Sequence, residues 1–213
     1  MLTLTWDQPV VPGFIVFEGL DGAGTTTQAR RLAEEMISQS IPAHFTCEPT
    51  DLPSGRAIRA FLAGPEHAEA WTLALLFAAD RYEHLHHANT GILARIAGGD
   101  TVVCDRYLFS SLAYQGTDAD FSAVEELNAH FPLPEHLVFL DTSRDEAERR
   151  LKGRRERDVL EHTLVQDRVA ARYRGIVEAF SDLSATKVHI IGGDEPPEQV
   201  FSALWKALKL PQR

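Results

Sequence analysis

"FEGLDGAGTTTQ" occupies residues 17–28. An apolar run, Phe14-Ile15-Val16-Phe17, leads into it and reads as a buried strand; a helical stretch follows. From Gly19 to Thr26 the segment meets the phosphate-loop pattern G-x-x-x-x-G-K-[ST] at every defined position except the lysine, where Thr25 stands. Glycines at this spacing let backbone N–H groups converge on an anion, and the following helix N-terminus adds positive potential. A plain glycine turn would share the composition, but the strand–turn–helix context favours the phosphate reading. Gly19, Asp21, Gly22, Ala23, Gly24, Thr25, Thr26 and Thr27 therefore form the candidate nucleotide-phosphate site, with the Thr26 hydroxyl where such loops meet Mg²⁺.

Outward from this loop, strands and helices alternate. Strands are expected at 14–18, 43–49, 101–107, 136–141 and 187–192. Pro9, Pro12 and Gly13 predict a short irregular lead-in to the first of them. Helices are expected from about Thr26 to Ser40, near 55–63, as one long helix up to a break at Gly98-Gly99, around 109–129, after Thr142 or Ser143, on to about Leu183, and near 196–208. Five strands separated by helices predict an α/β fold: a doubly wound parallel sheet with helices on both faces. Ligands in such folds bind beyond the carboxyl ends of the strands. Asp21, Glu48, Asp105, Arg106 and Asp141 all fall there.

The length of 213 residues suits one domain, taken as 1–213. The net charge of −10 argues against a nucleic-acid partner. Cys47 and Cys104 are expected as free thiols in a reducing cytoplasm. No apolar run is long enough to span a membrane, and "MLTLTWDQPVVPG" has neither the basic nor the apolar region of a signal peptide. "HLHH" at 84–87 puts His84 and His87 on one helix face without a third ligand, and reads as a partly exposed helix face rather than a metal site.

The missing lysine removes a cation from a chemistry that depends on charge neutralisation. Ten of the 21 Lys and Arg lie between Arg144 and Arg174. "LKGRRERD" concentrates four of them within six positions, with Gly153 as a hinge. A charge run is ordinarily a solvated face; next to a glycine, in an acidic chain with a phosphate loop, it reads better as a closing lid at about 152–161. Arg154, Arg155 and Arg157 are then the candidate catalytic cations.

Taken in order, "FEGLDGAGTTTQ", "LLFAADRYEHL", "DRYLFSSLAYQG" and "VFLDTSRDEAERRLKGR" resemble the thymidylate kinases of bacterial type, over about residues 14–208. The resemblance implies a P-loop NTPase-like fold, ATP with Mg²⁺, dTMP as acceptor and a homodimer through helices near 55–63 and 68–97. It implies that Phe77 stacks on thymine, Arg81 donates to its O4 and Pro49 packs near the base. Ser111 and Gln115 would read the base edge, Tyr114 would crowd the 2′ position, and Asp21 would meet the 3′-hydroxyl. Arg106 would contact phosphate, and Asp105 would join Thr26 in holding Mg²⁺. Singly, each has a plain alternative: Phe77 as core, Arg81 paired with Asp80 or Glu83, Asp105 paired with Arg106. Three positions depart from the pattern: Thr25, Cys47 in place of the arginine before "EP", and Val159 in the lid. Arg56 and Arg59 are the nearest replacements for the cation lost at Cys47. The alternatives to dTMP phosphorylation are another nucleoside monophosphate as acceptor, or a catalytically silent nucleotide-binding relative.

Overall fold

The structure is a computed structural model that describes residues 6–63, 68–151, 159–183 and 186–209, with the backbone course alone for 159–165. Alternation along β1 (Val10–Gly19) sets the layering. Phe14 and Val16 enter one apolar cluster, Ile15 and Phe17 the other. With β2 (Ala43–Cys47), β3 (Thr101–Asp105), β4 (Leu133–Asp141) and β5 (Lys187–Gly192), it builds a five-stranded sheet in the order β2-β3-β1-β4-β5. Every pairing is parallel.

The helices in chain order are α1 (Thr25–Ser38), α2 (Pro53–Ala63), α3 (Ala70–His86), α4 (Ile92–Ala97), α5 (Leu108–Ala113), α6 (Gln115–Asp118), α7 (Phe121–Asn128), α8 (Arg144–Leu151), α9 (Val159–Leu183) and α10 (Pro197–Leu208). Leu32 and Met36 of α1 meet Phe201 and Leu204 of α10 over one face of the sheet. Leu85, Leu112, Val124 and Phe180, from α3, α5, α7 and α9, cover the other. Each such fully buried side chain contributes roughly 1.5–3 kcal/mol of transfer free energy, and burial on both faces explains the continuous apolar runs of the strands.

Three expectations about local structure are corrected. The irregular lead-in is part of β1: Val10 and Val11 pair with Leu133 and Pro134, and a register shift between Val11 and Ile15 absorbs Pro12 and Gly13, the latter at φ 78. The helix expected around 109–129 is three helices, because Asp120 caps α7 by accepting from Ala123 N at 3.1 Å. The long helix before Gly98 divides at 87–91 into α3 and α4. Gly91 sits so close to the His87 backbone there that a Cβ would collide with it.

The chain leaves β1 toward β2 on one side, and leaves β3 for β4 on the other, so the strand order reverses beside β1. The crevice at the carboxyl ends of β1 and β3 is the topological switch point, where such sheets take ligands.

Candidate active site

The loop between β1 and α1 has the conformation its glycines predict. Gly22 and Gly24 have φ 88 and 94, in the left-handed region, and Gly24 caps α1. A Cβ at Gly22 would overlap the Ala147 carbonyl of α8. Thr25 is buried, and its Cγ2 lies 3.2 Å from where a Cβ on Gly19 would stand. It fills the floor of the loop rather than extending over it.

Thr26 Oγ1 donates to Asp105 Oδ2, joining the start of α1 to the end of β3. Asp105 Oδ1 is buried with no hydrogen-bond partner among the described residues. A hydroxyl and a carboxylate with an orphaned oxygen are hard donors of the kind Mg²⁺ takes, so these residues fit the metal the resemblance implies.

Beside them opens a cavity of about 400 Å³. Asp21, Thr26, Asp105 and Arg106 form its phosphate-loop side, and Pro49, Phe77, Arg81, Tyr114 and Gln115 form the rest of the expected lining. Ser111 lies behind, bonded to Arg81 Nη2 at 3.1 Å. Arg59 also lines the cavity, held by the carbonyls of Pro49 and Thr50 at 2.5 Å and by Asp51 at 3.2 Å. Arg56 instead bonds the Asp51 carbonyl at an exposed position. Of the two candidates for the cation absent at Cys47, Arg59 is the one in place.

The plain pairings do not form. Arg106 pairs with Asp21 at 2.6 Å, not with Asp105. Arg81 is 1% exposed and pairs with Glu48 through Nε at 3.0 Å and Nη2 at 2.8 Å, not with Asp80 or Glu83; its Nη1 donates to Asn128 Oδ1 at 2.5 Å. His84 is likewise buried, with Nδ1 3.1 Å from Glu48 Oε1 and Nε2 2.7 Å from Thr46 Oγ1. This corrects the exposed-face reading of "HLHH": His84 braces the glutamate that orients Arg81. Cys47 and Cys104 are free thiols on neighbouring strands, Cys47 opposite Asp105 in the β2–β3 register, and burial raises both thiol pKa values.

Two further participants were not singled out in the sequence. Glu18 is fully buried at the end of β1 and accepts from the backbone N–H groups of Tyr107 and Ser110 and the hydroxyls of Ser110 and Tyr173. Burial pushes its carboxyl up to about 7, against the lowering influence of Arg106 and these hydrogen bonds. Arg150 of α8 donates to the carbonyls of Ala23, at 3.1 Å, and Gly193, at 2.8 Å. With Gly24, Thr27 and Pro197 it borders a second cavity of about 110 Å³ on the far side of the phosphate loop. The period-2 alternation of β1 carries the signal for Glu18; Arg150 stands in the basic run from Arg149 to Arg157, in which nothing local sets it apart. The lid at 152–161, with Gly153, Arg154, Arg155 and Arg157, lies outside the described residues except for the backbone from Val159.

A family model described as thymidylate kinase matches residues 17–204. A probable thymidylate kinase of Methanococcus vannielii is 38% identical over 197 residues, 90% of this chain and 92% of its own. One from Methanococcus maripaludis is 36% identical over 201 residues, 92% and 94% of the two chains. One from Pyrococcus abyssi is 37% identical over 177 residues, 80% and 85% of the two chains.

Proposed function

This chain belongs to the thymidylate kinase family and transfers a phosphoryl group from ATP to dTMP, giving dTDP; we propose that dTMP occupies the cavity of about 400 Å³ between Phe77 and Arg106, with the ATP phosphates in the loop from Gly19 to Thr27. The observation that carries this placement is the convergence on one cavity of an aromatic side chain, Phe77, a buried arginine, Arg81, and the Asp21–Arg106 pair beside the phosphate loop.

In this reading Phe77 stacks on thymine and Pro49 packs near the base. Arg81 donates to O4 from a position that Glu48 and, from behind, Ser111 fix, and Gln115 completes the base edge. Tyr114 crowds the 2′ position and Asp21 takes the 3′-hydroxyl. Arg106 and Arg59 meet the acceptor phosphate. That phosphate has a second pKa near ~6 and is largely dianionic at pH 7, so it attacks without a general base. Catalysis then rests on alignment and charge neutralisation. Thr26 and Asp105 would hold Mg²⁺, which when bound neutralises charge on the donor phosphates. Arg150, with Gly24, Thr27 and Pro197, borders the donor base. Arg154, Arg155 and Arg157 supply the cation that Thr25 does not.

Leu62 of α2 and Trp71, Leu75 and Tyr82 of α3 are large and exposed. They supply the apolar surface that a homodimer through these helices would cover. The two free thiols fit a reducing cytoplasm.

A coupled ADP-release assay with dTMP, dUMP, CMP, UMP and AMP tests the reading. Turnover is expected with dTMP above the others. Preference for CMP, UMP or AMP would overturn the base assignment, and binding of ATP and dTMP without transfer would point to the silent relative.

A further inference from the structure

Glu18 continues the alternation of Phe14 and Val16, and so faces the layer of α5 and α9. An acid at this position is unusual in a buried strand and must satisfy its oxygens there. It does so with four donors. Oε1 accepts from Tyr107 N at 2.9 Å and Ser110 N at 3.1 Å. Oε2 accepts from Ser110 Oγ at 2.6 Å and Tyr173 Oη at 2.9 Å.

The same two hydroxyls face Arg106. Its Nη1 lies 3.2 Å from Ser110 Oγ and 3.2 Å from Tyr173 Oη, and 3.1 Å from the Gly19 carbonyl in the phosphate loop. A hydroxyl has one proton. If Ser110 and Tyr173 both spend theirs on Glu18, both have only lone pairs left for the guanidinium. Arg106 itself has φ 71, a strained backbone for a residue with a Cβ.

We propose that Glu18 is a positioning residue for Arg106: as a carboxylate it turns the Ser110 and Tyr173 hydroxyls so that both accept from the guanidinium, and so holds Arg106 between the phosphate loop and the acceptor cavity. The proposal rests on the assignment of Arg106 to the phosphates. Tyr173 lies on α9, the helix that follows the lid segment, so the same hydroxyl joins that helix to Arg106.

Ionisation decides the direction of the hydroxyls. A protonated Glu18 carries a donor of its own, and one of the two hydroxyls must then turn its proton away, toward Arg106 or toward the other hydroxyl, 2.9 Å from it; in either case the pair no longer offers two free acceptors to the guanidinium. The groups facing Glu18 are Arg106 beyond β3, Tyr107 and Ser110 at α5, and Tyr173 on α9. Asp21 lies on the far side of Arg106, paired with it at 2.6 Å, and Tyr114 has its ring 5.4 Å from the guanidinium. With a carboxyl that titrates at about 7, the holding arrangement fails as pH falls through neutrality.

The test is kcat for wild type, Glu18→Gln and Tyr173→Phe from pH 5.5 to 9, at saturating ATP and dTMP, with ¹⁵N NMR of the Arg106 guanidinium on the same proteins. Wild type should show an acid limb in kcat near pH 7, and Arg106 Nη resonances that move with the same midpoint. Glu18→Gln should lower kcat by about tenfold, the scale of one misdirected hydrogen bond, and lose both the limb near 7 and the Nη titration, keeping only the fall at about pH 6 set by the acceptor phosphate. The KM for dTMP should move less than kcat. Tyr173→Phe keeps the acid and removes one bridge, so it should keep the limb and lose less; it also serves if the amide variant does not fold. Wild-type kcat and pH profile in Glu18→Gln, or Arg106 resonances indifferent to pH, would overturn the proposal. If Arg106→Ala leaves turnover intact while the Nη titration stands, the phosphate assignment fails and the positioning does not.

Discussion

The two sides of the site treat positive charge differently. On the acceptor side each cation is held in place: Arg81 by Glu48 and Asn128, Arg106 by Asp21 and the hydroxyls beside Glu18, Arg59 by Asp51 and two carbonyls. On the donor side the loop interior holds the neutral Thr25, and Arg150 approaches from outside through the carbonyls of Ala23 and Gly193. The recognition half is therefore built before the substrate arrives, which lowers the ordering cost of binding. On the proposed function, the transfer half relies on Arg154, Arg155 and Arg157 for the charge that Thr25 does not carry.

The largest expected effect lies on the donor side. Among Arg154→Ala, Arg155→Ala and Arg157→Ala, at least one should lower kcat by on the order of 10³, about 4 kcal/mol of barrier. ATP affinity should fall much less, because the lost contact is made mainly in the transition state. Single-turnover kinetics and ATP titration check both. Near-normal turnover in all three variants would erase the contrast proposed between the two sides.

The next effect sharpens the acceptor side. The Glu18 carboxyl is raised from 4.5 to about 7 by burial. The folded protein therefore binds its proton more tightly than the unfolded chain does. Its contribution is fully present below pH 4.5 and is lost as pH rises through about 7, a loss of about 3 kcal/mol. Denaturant unfolding should show this decline in wild type and not in Glu18→Gln. If Glu18 positions Arg106, turnover rises over the range in which this contribution falls. A purely structural acid would lower stability over that range and leave turnover without a limb near 7.

A smaller loss is expected from Arg81→Ala: about 1.5–3 kcal/mol of dTMP affinity, roughly 10- to 150-fold, with ATP affinity unchanged. Thermal denaturation run in parallel registers the cost of leaving Glu48 buried without its partner. Equal losses for both ligands would mean that Arg81 serves the fold and not the base.

The legibility of the sequence follows the same division. The sheet and the phosphate loop are legible in local patterns, apolar runs and glycine spacing, while the acceptor lining is legible only through the resemblance of short motifs to thymidylate kinases. The β1 bulge is not legible, because Pro12 and Gly13 look like a loop until β4 supplies partners for Val10 and Val11. Nor is the break at Asp120, where a capping carboxylate overrode a helical period. His84 looked like a surface histidine because nothing in "HLHH" announces that Thr46 and Glu48, nearly forty residues earlier in the chain, lie against it. Side chains whose role depends on partners far along the chain are the ones a single sequence hides.

The smallest effect concerns Thr25. Thr25→Ala removes one neutral hydroxyl and a methyl from the floor of the loop and should lower kcat by less than about tenfold, within ~1 kcal/mol. Thr25→Lys should not restore an ordinary phosphate loop. The side chain at this position is buried, with its Cγ2 directed at Gly19. A lysine would have to leave that floor empty or bend the loop to reach a phosphate, and it would add its charge where the proposed function already puts a lid arginine. Turnover at or below wild type is therefore expected, measured by ADP release at saturating ATP and dTMP. A large gain from Thr25→Lys would mean that the donor side is short of charge after all, and that its cations do not offset what the loop lacks.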